Sequence, residues 1–341
     1  MEKEYRRAII VGLGNRALTW VDACRRSHNV DMVGFVEPSA AQWAAFAQAK
    51  QVHDAQLFPS LKEALRSVQA DFVIDVTPPA AHEEVAMQAF EANLHVLGEK
   101  PISDDFAAAK RIVAASEKLK RTHMITQDYR FGAQPRTLRR LLTEGVIGPP
   151  GQATVGLYKA WAARPGTHYV TLPFMFVKDM GIHHFDLMRY VLDRDPVRVW
   201  ARTWNQPWGW HKGDAAHTAV FEFAGRLTVT HHALGCCTGR QTSRNGEWRI
   251  DGPEGTLSWV DDRIFVTREY PPDKKARREI TPDAGAPGPQ DAILVEFLAA
   301  VKEGRAPECN GRDNLKSLAM TIAVVKSAQE KRTVEIAEIL S

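Results

Sequence analysis

Gly12-Leu13-Gly14-Asn15-Arg16-Ala17 is a GxGxxA segment whose small residues are spaced for capture of a pyrophosphate. Gly12 permits a tight turn, Gly14 lets the backbone approach two phosphates, and Ala17 lets a helix pack closely on a strand. The phosphates would then meet the helix N-terminus, where Asn15 and Arg16 stand. Glu37 follows at the end of the next β-branched run. A carboxylate there accepts both hydroxyls of an adenosine ribose and repels a 2′-phosphate. No arginine immediately follows to offset that repulsion, so the expected cofactor is NAD rather than NADP. Thr77-Pro78 and Glu99-Lys100-Pro101 occupy the ends of two further apolar runs. Ligands sit outside the carboxyl ends of parallel strands, so both segments join the candidate cofactor edge. Proline holds the preceding residue extended, which limits the directions in which Lys100 leaves its strand and suits a group aimed at a reacting atom.

The elements that must position these residues follow from periodicity. Ala8 to Val11 reads as a strand, the stretch to Arg26 as a helix, and Asp31 to Val36 as a second strand. Strands at Phe72 to Val76, His95 to Leu97 and Met124 to Thr126 alternate with helices over Ala40 to Ala49, Leu61 to Val68, Ala81 to Ala92 and Asp105 to Leu119. Interleaving of this kind predicts an α/β, doubly wound parallel sheet of the Rossmann type over residues 1–126. From residue 127 the texture changes. Strand-like runs from Thr154 to Thr267 follow one another across short turns, interrupted strongly only by a helix over Ile182 to Leu192. Residues 127–341 therefore read as an α+β domain with an open, mostly antiparallel sheet, closed by helices at Ala292 to Glu303 and Asn314 to Lys331. Tyr270 to Gln290, rich in Pro, Gly and Asp, reads as a surface excursion.

Composition excludes several classes. A chain of 341 residues with 44% hydrophobic and 25% charged residues is an ordinary globular one and long enough for two cores. The net charge is +3 and the basic residues are scattered, which gives no nucleic-acid or membrane footprint and leaves a small molecule as the expected partner. Cys24, Cys236, Cys237 and Cys309 have no zinc spacing and read as reduced and structural. The apolar stretch after Arg6-Arg7 is short and strand-like, so it is not read as a signal, and the expected location is cytoplasmic.

Taken together, the glycine segment, Glu99-Lys100-Pro101 and Asp179-Met180-Gly181-Ile182-His183 resemble the Gfo/Idh/MocA family of NAD(P)-dependent sugar and cyclitol oxidoreductases over nearly the whole chain. Thr77-Pro78 with His82, the Tyr129-Arg130-Phe131 segment and Trp248 to Leu257 add to that resemblance, and they bring His82 to the cofactor set and Arg130 to the substrate set. The resemblance implies a catalytic trio of Lys100, Asp179 and His183, and a homodimer or homotetramer built on the open sheet. If the chain is helical from about Met180, Asp179, His183 and Asp186 share one stripe, whereas the adjacent His184 falls off it and reads as packed or hydrogen-bonded.

Oxidation of an alcohol needs a base for the hydroxyl proton and a cation to stabilise the alkoxide-like oxygen while hydride leaves for nicotinamide. His183 suits the first role and Lys100 the second, with Asp179 orienting the imidazole; the exchanged assignment, with Lys100 as base, uses the same residues. The loops Trp161 to Arg164 and Trp204 to Lys212, with His231-His232, are aromatic and basic. Indole faces stack on sugar CH faces, and cationic side chains donate to hydroxyls, so Trp161 and Arg164 join the substrate set. No metal is expected, because the histidines show no ligand spacing. The same residues would also serve an NAD-dependent glycoside hydrolase working by transient oxidation and elimination; a sensor that binds NAD without chemistry would not need the trio.

Overall fold

The computed structural model describes residues 6–50, 56–161, 170–268, 276–285 and 288–341. Two units emerge, Met1–Asp128 with Ala286–Leu315, and Tyr129–Gly285 with Lys316–Ser341. In the first, β1 (Arg6–Val11) is buried from Ala8 onward, as a central parallel strand must be when both of its faces are covered. It is followed by α1 (Asn15–Ser27), β2 (Val30–Val36), α2 (Ala40–Lys50), β3 (Leu57–Phe58), α3 (Leu61–Ser67), β4 (Phe72–Asp75), α4 (His82–Glu91), β5 (His95–Gly98), α5 (Phe106–Lys118) and β6 (His123–Ile125). All six strands are parallel, in the order β3-β2-β1-β4-β5-β6. The order reverses between β1 and β4, so a crevice opens at their carboxyl ends, where Gly12 follows β1 directly and Thr77 stands two residues beyond β4. This is the doubly wound sheet expected from the alternation of runs.

The second unit holds α6 (Ala133–Thr143), β7 (Gln152–Tyr158), α7 (Ile182–Leu192), β8 (Pro196–Trp204), β9 (Ala216–Phe223), β10 (Leu227–Leu234), β11 (Glu247–Gly252), β12 (Gly255–Val260), β13 (Arg263–Arg268) and β14 (Ala276–Ile280). The chain continues through α8 (Pro289–Glu303), α9 (Gly311–Glu330), β15 (Val334–Glu335) and α10 (Ala337–Leu340). The nine strands run β14-β13-β12-β11-β7-β10-β9-β8-β15, antiparallel except where β10 lies parallel to β7. Period-2 burial puts Ala153, Val155 and Leu157 of β7 and Ala219, Phe221 and Phe223 of β9 inside, and α7 is buried along its whole length.

Two expectations need correction. The stretch Tyr270 to Gln290 contains a strand, β14, which pairs with β13 through Ile264 and Ile280 and through the Arg263–Glu279 ion pair. Its run of Arg and Glu hides the pairing, because an edge strand carries charge where a central one cannot. Residues 127–341 also do not form one domain. Ala286–Leu315 returns to the first unit, where Phe297 of α8 packs on Phe72 at 5.2 Å, Asp291 pairs with Arg26 of α1, and the carbonyl of Cys309 accepts from Ile125 N at 2.8 Å.

Candidate active site

At the cofactor end, Gly12 has φ +89°, and a Cβ there would lie 3.0 Å from the backbone of Val76 and Thr77. The close approach of β1 and β4 thus requires the glycine. Gly14 is different: it is exposed, its φ is −75°, and a Cβ would meet nothing within 4 Å. It is the N-cap of α1, contributes no side-chain cap, and no acidic residue stands in the first turn. Ala17 N bonds to the carbonyl of Gly14 at 3.0 Å, which leaves the N–H groups of Asn15 and Arg16 for an anion, and the space above Gly14 suits a pyrophosphate. Asn15 is exposed at the same turn, and Ala17 is fully buried against the sheet.

Glu37 ends β2 at 8% exposure, and its carboxylate accepts from Leu13 N at 3.1 Å and Ser39 N at 3.0 Å. The glycine loop itself thereby fixes the carboxylate beside the phosphate cradle. Each oxygen keeps further acceptor capacity, which is what a vicinal diol needs. These residues fit NAD.

Three members of the expected cofactor set are held by partners elsewhere in the first unit. Arg16 donates from Nε to Glu99 Oε1 at 2.7 Å and pairs with Asp128 at 3.7 Å. Burial works against its charge, but the two carboxylates outweigh it and hold the guanidinium above its ordinary pKa. Glu99 also accepts from the Trp20 indole at 3.1 Å, so its carboxylate anchors the strand end to α1. His82 is buried, with Nε2 2.9 Å from the carbonyl of Thr77 and Nδ1 2.9 Å from that of Pro101. Thr77 is capped by Asp75, which accepts from its N–H at 3.0 Å and its hydroxyl at 2.6 Å; burial raises the Asp75 pKa against the opposing pull of His82. Pro78 is exposed at the crevice mouth and Lys100 is half-buried. Sequence reasoning missed Trp20 and Asp128, whose roles depend on long-range pairing, and Asp75, which holds Thr77 two residues on.

In the second unit the turn before α7 is wider than expected. Phe176–Gly181 is a π-helical turn, and the α-helix begins only at Ile182. The stripe linking Asp179, His183 and Asp186 therefore does not extend back to Asp179, because an i→i+5 turn changes the phase. Trp161 packs edge-on against Phe176 of this turn at 6.5 Å, and Asp179 is half-buried on it. His183 stacks on Tyr129 at 4.3 Å with the rings 10° apart, and the guanidinium of Arg244 lies 4.6 Å from the centre of the same tyrosine ring. The plane of the imidazole is fixed by aromatic packing. His184 is fully buried and bonds through Nε2 to the carbonyl of Arg244 at 3.0 Å, and burial lowers its pKa to about 4.

Arg130 also departs from expectation. Its guanidinium is buried and paired with Asp186, donating from Nε at 2.8 Å and again from Nη2, while Ser317 donates to the same carboxylate at 2.8 Å. Arg130 is thus held in a buried ion pair, which also engages Asp186. His231 is likewise interior, 2.9 Å from His217 Nε2, whereas His232 faces Thr218 at 3.2 Å on the opposite side of β10. Among the described residues no group of three His, Cys, Asp or Glu side chains is arranged to hold a metal ion. Trp208 donates to the carbonyl of Cys236 at 3.0 Å, and Trp210 stacks on His211. Arg164 lies outside the described residues.

Comparison with known proteins bears on both units. The model of the oxidoreductase family with an NAD-binding Rossmann fold matches residues 6–127, and that of the Gfo/Idh/MocA C-terminal domain matches residues 136–258. The chain belongs to the Gfo/Idh/MocA family. It is an oxidoreductase with an NAD-binding Rossmann domain. It is 26% identical to a D-apiose dehydrogenase of Paraburkholderia graminis, over 96% of this chain and 88% of that one. It is 25% identical to a 1,5-anhydro-D-fructose reductase of Ensifer adhaerens, over 96% and 97% of the two chains. An Agrobacterium radiobacter oxidoreductase, solved in complex with NAD+, L-tartaric acid and magnesium, shares the fold at a TM-score of 0.87 and 20% identity, over 98% of this chain and 99% of that one.

Proposed function

We propose that the protein oxidises a secondary alcohol of a sugar, sugar derivative or cyclitol, using NAD in preference to NADP. The observation that carries this reading is the Glu37 carboxylate held by the N–H groups of Leu13 and Ser39 at the rim of an uncapped helix N-terminus. A 2′-phosphate brought there would meet a fixed negative charge, whereas a ribose diol would meet an acceptor. Bound NAD supplies the hydride acceptor. His183 takes the hydroxyl proton, with its ring plane set by Tyr129, and Asp179 stabilises the imidazolium that results. Lys100 stabilises the oxygen as negative charge develops on it. Trp161 and Arg164 recognise the sugar by stacking and by donation to its hydroxyls.

Relatives named D-apiose dehydrogenase and inositol 2-dehydrogenase support a polyol substrate. Val197 and Trp200 stand exposed on β8 and support assembly into a homodimer or homotetramer, which sedimentation would measure. The four free cysteines support a reducing compartment such as the cytoplasm. The test is purified protein assayed with NAD against inositols, aldoses, sugar acids and glycosides, alongside Lys100→Ala and His183→Ala. Accumulation of reduced NAD with one polyol, slowed at least about a hundredfold in each variant, supports the assignment. Release of an aglycone without net NAD reduction would replace it with redox-assisted hydrolysis.

A further inference from the structure

The loop Trp204 to Lys212 is aromatic, yet the proposed reaction gives it no task. It folds back on itself: Asn205 Nδ2 donates to the carbonyl of His211 at 2.6 Å, Gly209 N donates to that of Gln206 at 2.8 Å, and Trp210 stacks on His211 with ring centres 3.5 Å apart. Trp208 lies inside the turn closed by Gly209 and is 57% exposed, while its Nε1 donates to the carbonyl of Cys236 at 3.0 Å. The side-chain donor of the indole is thus spent within the chain, and the part left in solvent is apolar ring.

The anchor of Trp208 belongs to the cluster that carries the proposed chemistry of the second unit. Cys236 bridges to Ala160, and the carbonyl of Gly235 accepts from Trp161 N at 2.8 Å. A Cβ on Gly235 would lie 2.8 Å from the ring of Phe176, so the glycine lets this segment close on the π-helical turn that bears Asp179. Trp208, Trp161 and Asp179 are therefore attached to one packed group of segments. Exposed Lys212 on the same loop and exposed Gln241, whose Oε1 accepts from Ala160 N at 2.9 Å, add hydroxyl-binding groups to these surroundings. The exposed apolar residues that suit a subunit contact, Val197 and Trp200, stand on β8 instead.

We propose that Trp208 is a specificity-determining residue: its exposed indole face stacks on the CH face of the substrate, which is a closed ring, a pyranose or a cyclitol, and not an open-chain polyol. A closed ring presents CH groups on one face and hydroxyls at its rim, which matches an apolar indole flanked by polar groups; an open chain keeps no such face. Because the Cys236 carbonyl fixes the indole, the platform is formed before the ring arrives, and its loss weakens binding without touching the reacting atoms. The inference rests on the reading of this protein as a sugar or cyclitol oxidoreductase, but stacking on Trp208 is measurable without turnover.

The experiment compares the full chain as wild type, Trp208→Ala and Trp208→Phe, with NAD and the ring substrate that the wild type oxidises fastest. Trp208→Ala is expected to raise KM at least about fivefold with kcat within about twofold of wild type, and Trp208→Phe to raise KM less. Sedimentation and the NAD dissociation constant are expected to stay as in wild type. An unchanged KM in Trp208→Ala, or a fall in kcat alone, overturns the proposal, and so does an altered oligomeric state, which would make the indole a subunit contact. For the second readout, wild type is labelled with 5-fluorotryptophan, and its Trp208 resonance is assigned by its loss in Trp208→Phe. This resonance is followed by fluorine NMR during titration with the inositols, aldopyranoses and glycosides of the assay panel and with D-sorbitol. A saturable shift with at least one ring compound and none with D-sorbitol is expected; no shift with any ring compound, or an equal shift with D-sorbitol, overturns the proposal. If no sugar or cyclitol reduces NAD, the oxidoreductase reading fails, and the fluorine titration still decides whether Trp208 holds a sugar ring.

Discussion

Single side chains in this protein are held by partners far away in sequence, and their replacement should reveal which partner matters. Asp186 is buried against Arg130 with Ser317 on the same carboxylate. Removing one member of such a pair strands a buried charge, so Asp186→Asn is expected to lower stability by about 3–5 kcal/mol in urea titration. Replacing Arg130 and Asp186 together by apolar residues of similar volume should cost much less. Glu37→Ala is expected to narrow the preference for NAD over NADP by about tenfold or more, read from the ratio of the two dissociation constants, because it removes both the acceptor and the repulsion. The places of Glu37 and Lys100 were legible in the sequence because each lies just beyond the end of a readable strand. The partners of Arg16, His82 and Arg130 were not, since a basic side chain near an expected ligand reads as a ligand contact until a distant carboxylate or carbonyl is seen beside it.

At the scale of elements, the turn from β1 into α1 separates stability from binding within three residues. Gly12→Ala would place a Cβ 3.0 Å from the backbone after β4 at a φ of +89°, and is expected to lower the unfolding midpoint. Gly14→Ala meets open space at an ordinary φ, so its stability should change by no more than about 0.5 kcal/mol while its affinity for NAD falls. Calorimetry and cofactor titration on the two variants check the pair. The periodic elements around this turn could be read from apolar runs and glycine placement. The π-helical turn at Phe176–Gly181 and the edge strand Ala276–Ile280 could not, because one changes helical phase without a breaker and the other carries its pairing in charged residues.

For the molecule as a whole, buried histidines couple folding to pH. Burial lowers the pKa of His123 to about 3, of His217 to about 3 and of His184 to about 4, and puts His231 well below its ordinary value. Each folded value lies below the value of about 6.5 in an unfolded chain. As pH falls the unfolded state therefore takes up protons first. The stability associated with these groups is complete above about pH 6.5 and is lost as pH falls from there toward the folded values. Urea midpoints measured across this range are expected to decline toward acid, with a slope approaching about 1.4 kcal/mol per pH unit for each histidine. The two-unit organisation was legible from the change of texture near residue 127, but the return of Ala286–Leu315 to the first unit was not, because α8 and α9 look like any closing pair of amphipathic helices. The most direct test of the proposed activity is the reduction of NAD and of NADP, followed side by side, by the wild-type protein with sugars and cyclitols. The expected result is steady formation of reduced NAD with at least one of them and much slower reduction of NADP. Equal or faster reduction of NADP would contradict the role of Glu37, and no reduction of either cofactor by any member of the panel would contradict the proposed oxidation of a sugar or cyclitol alcohol.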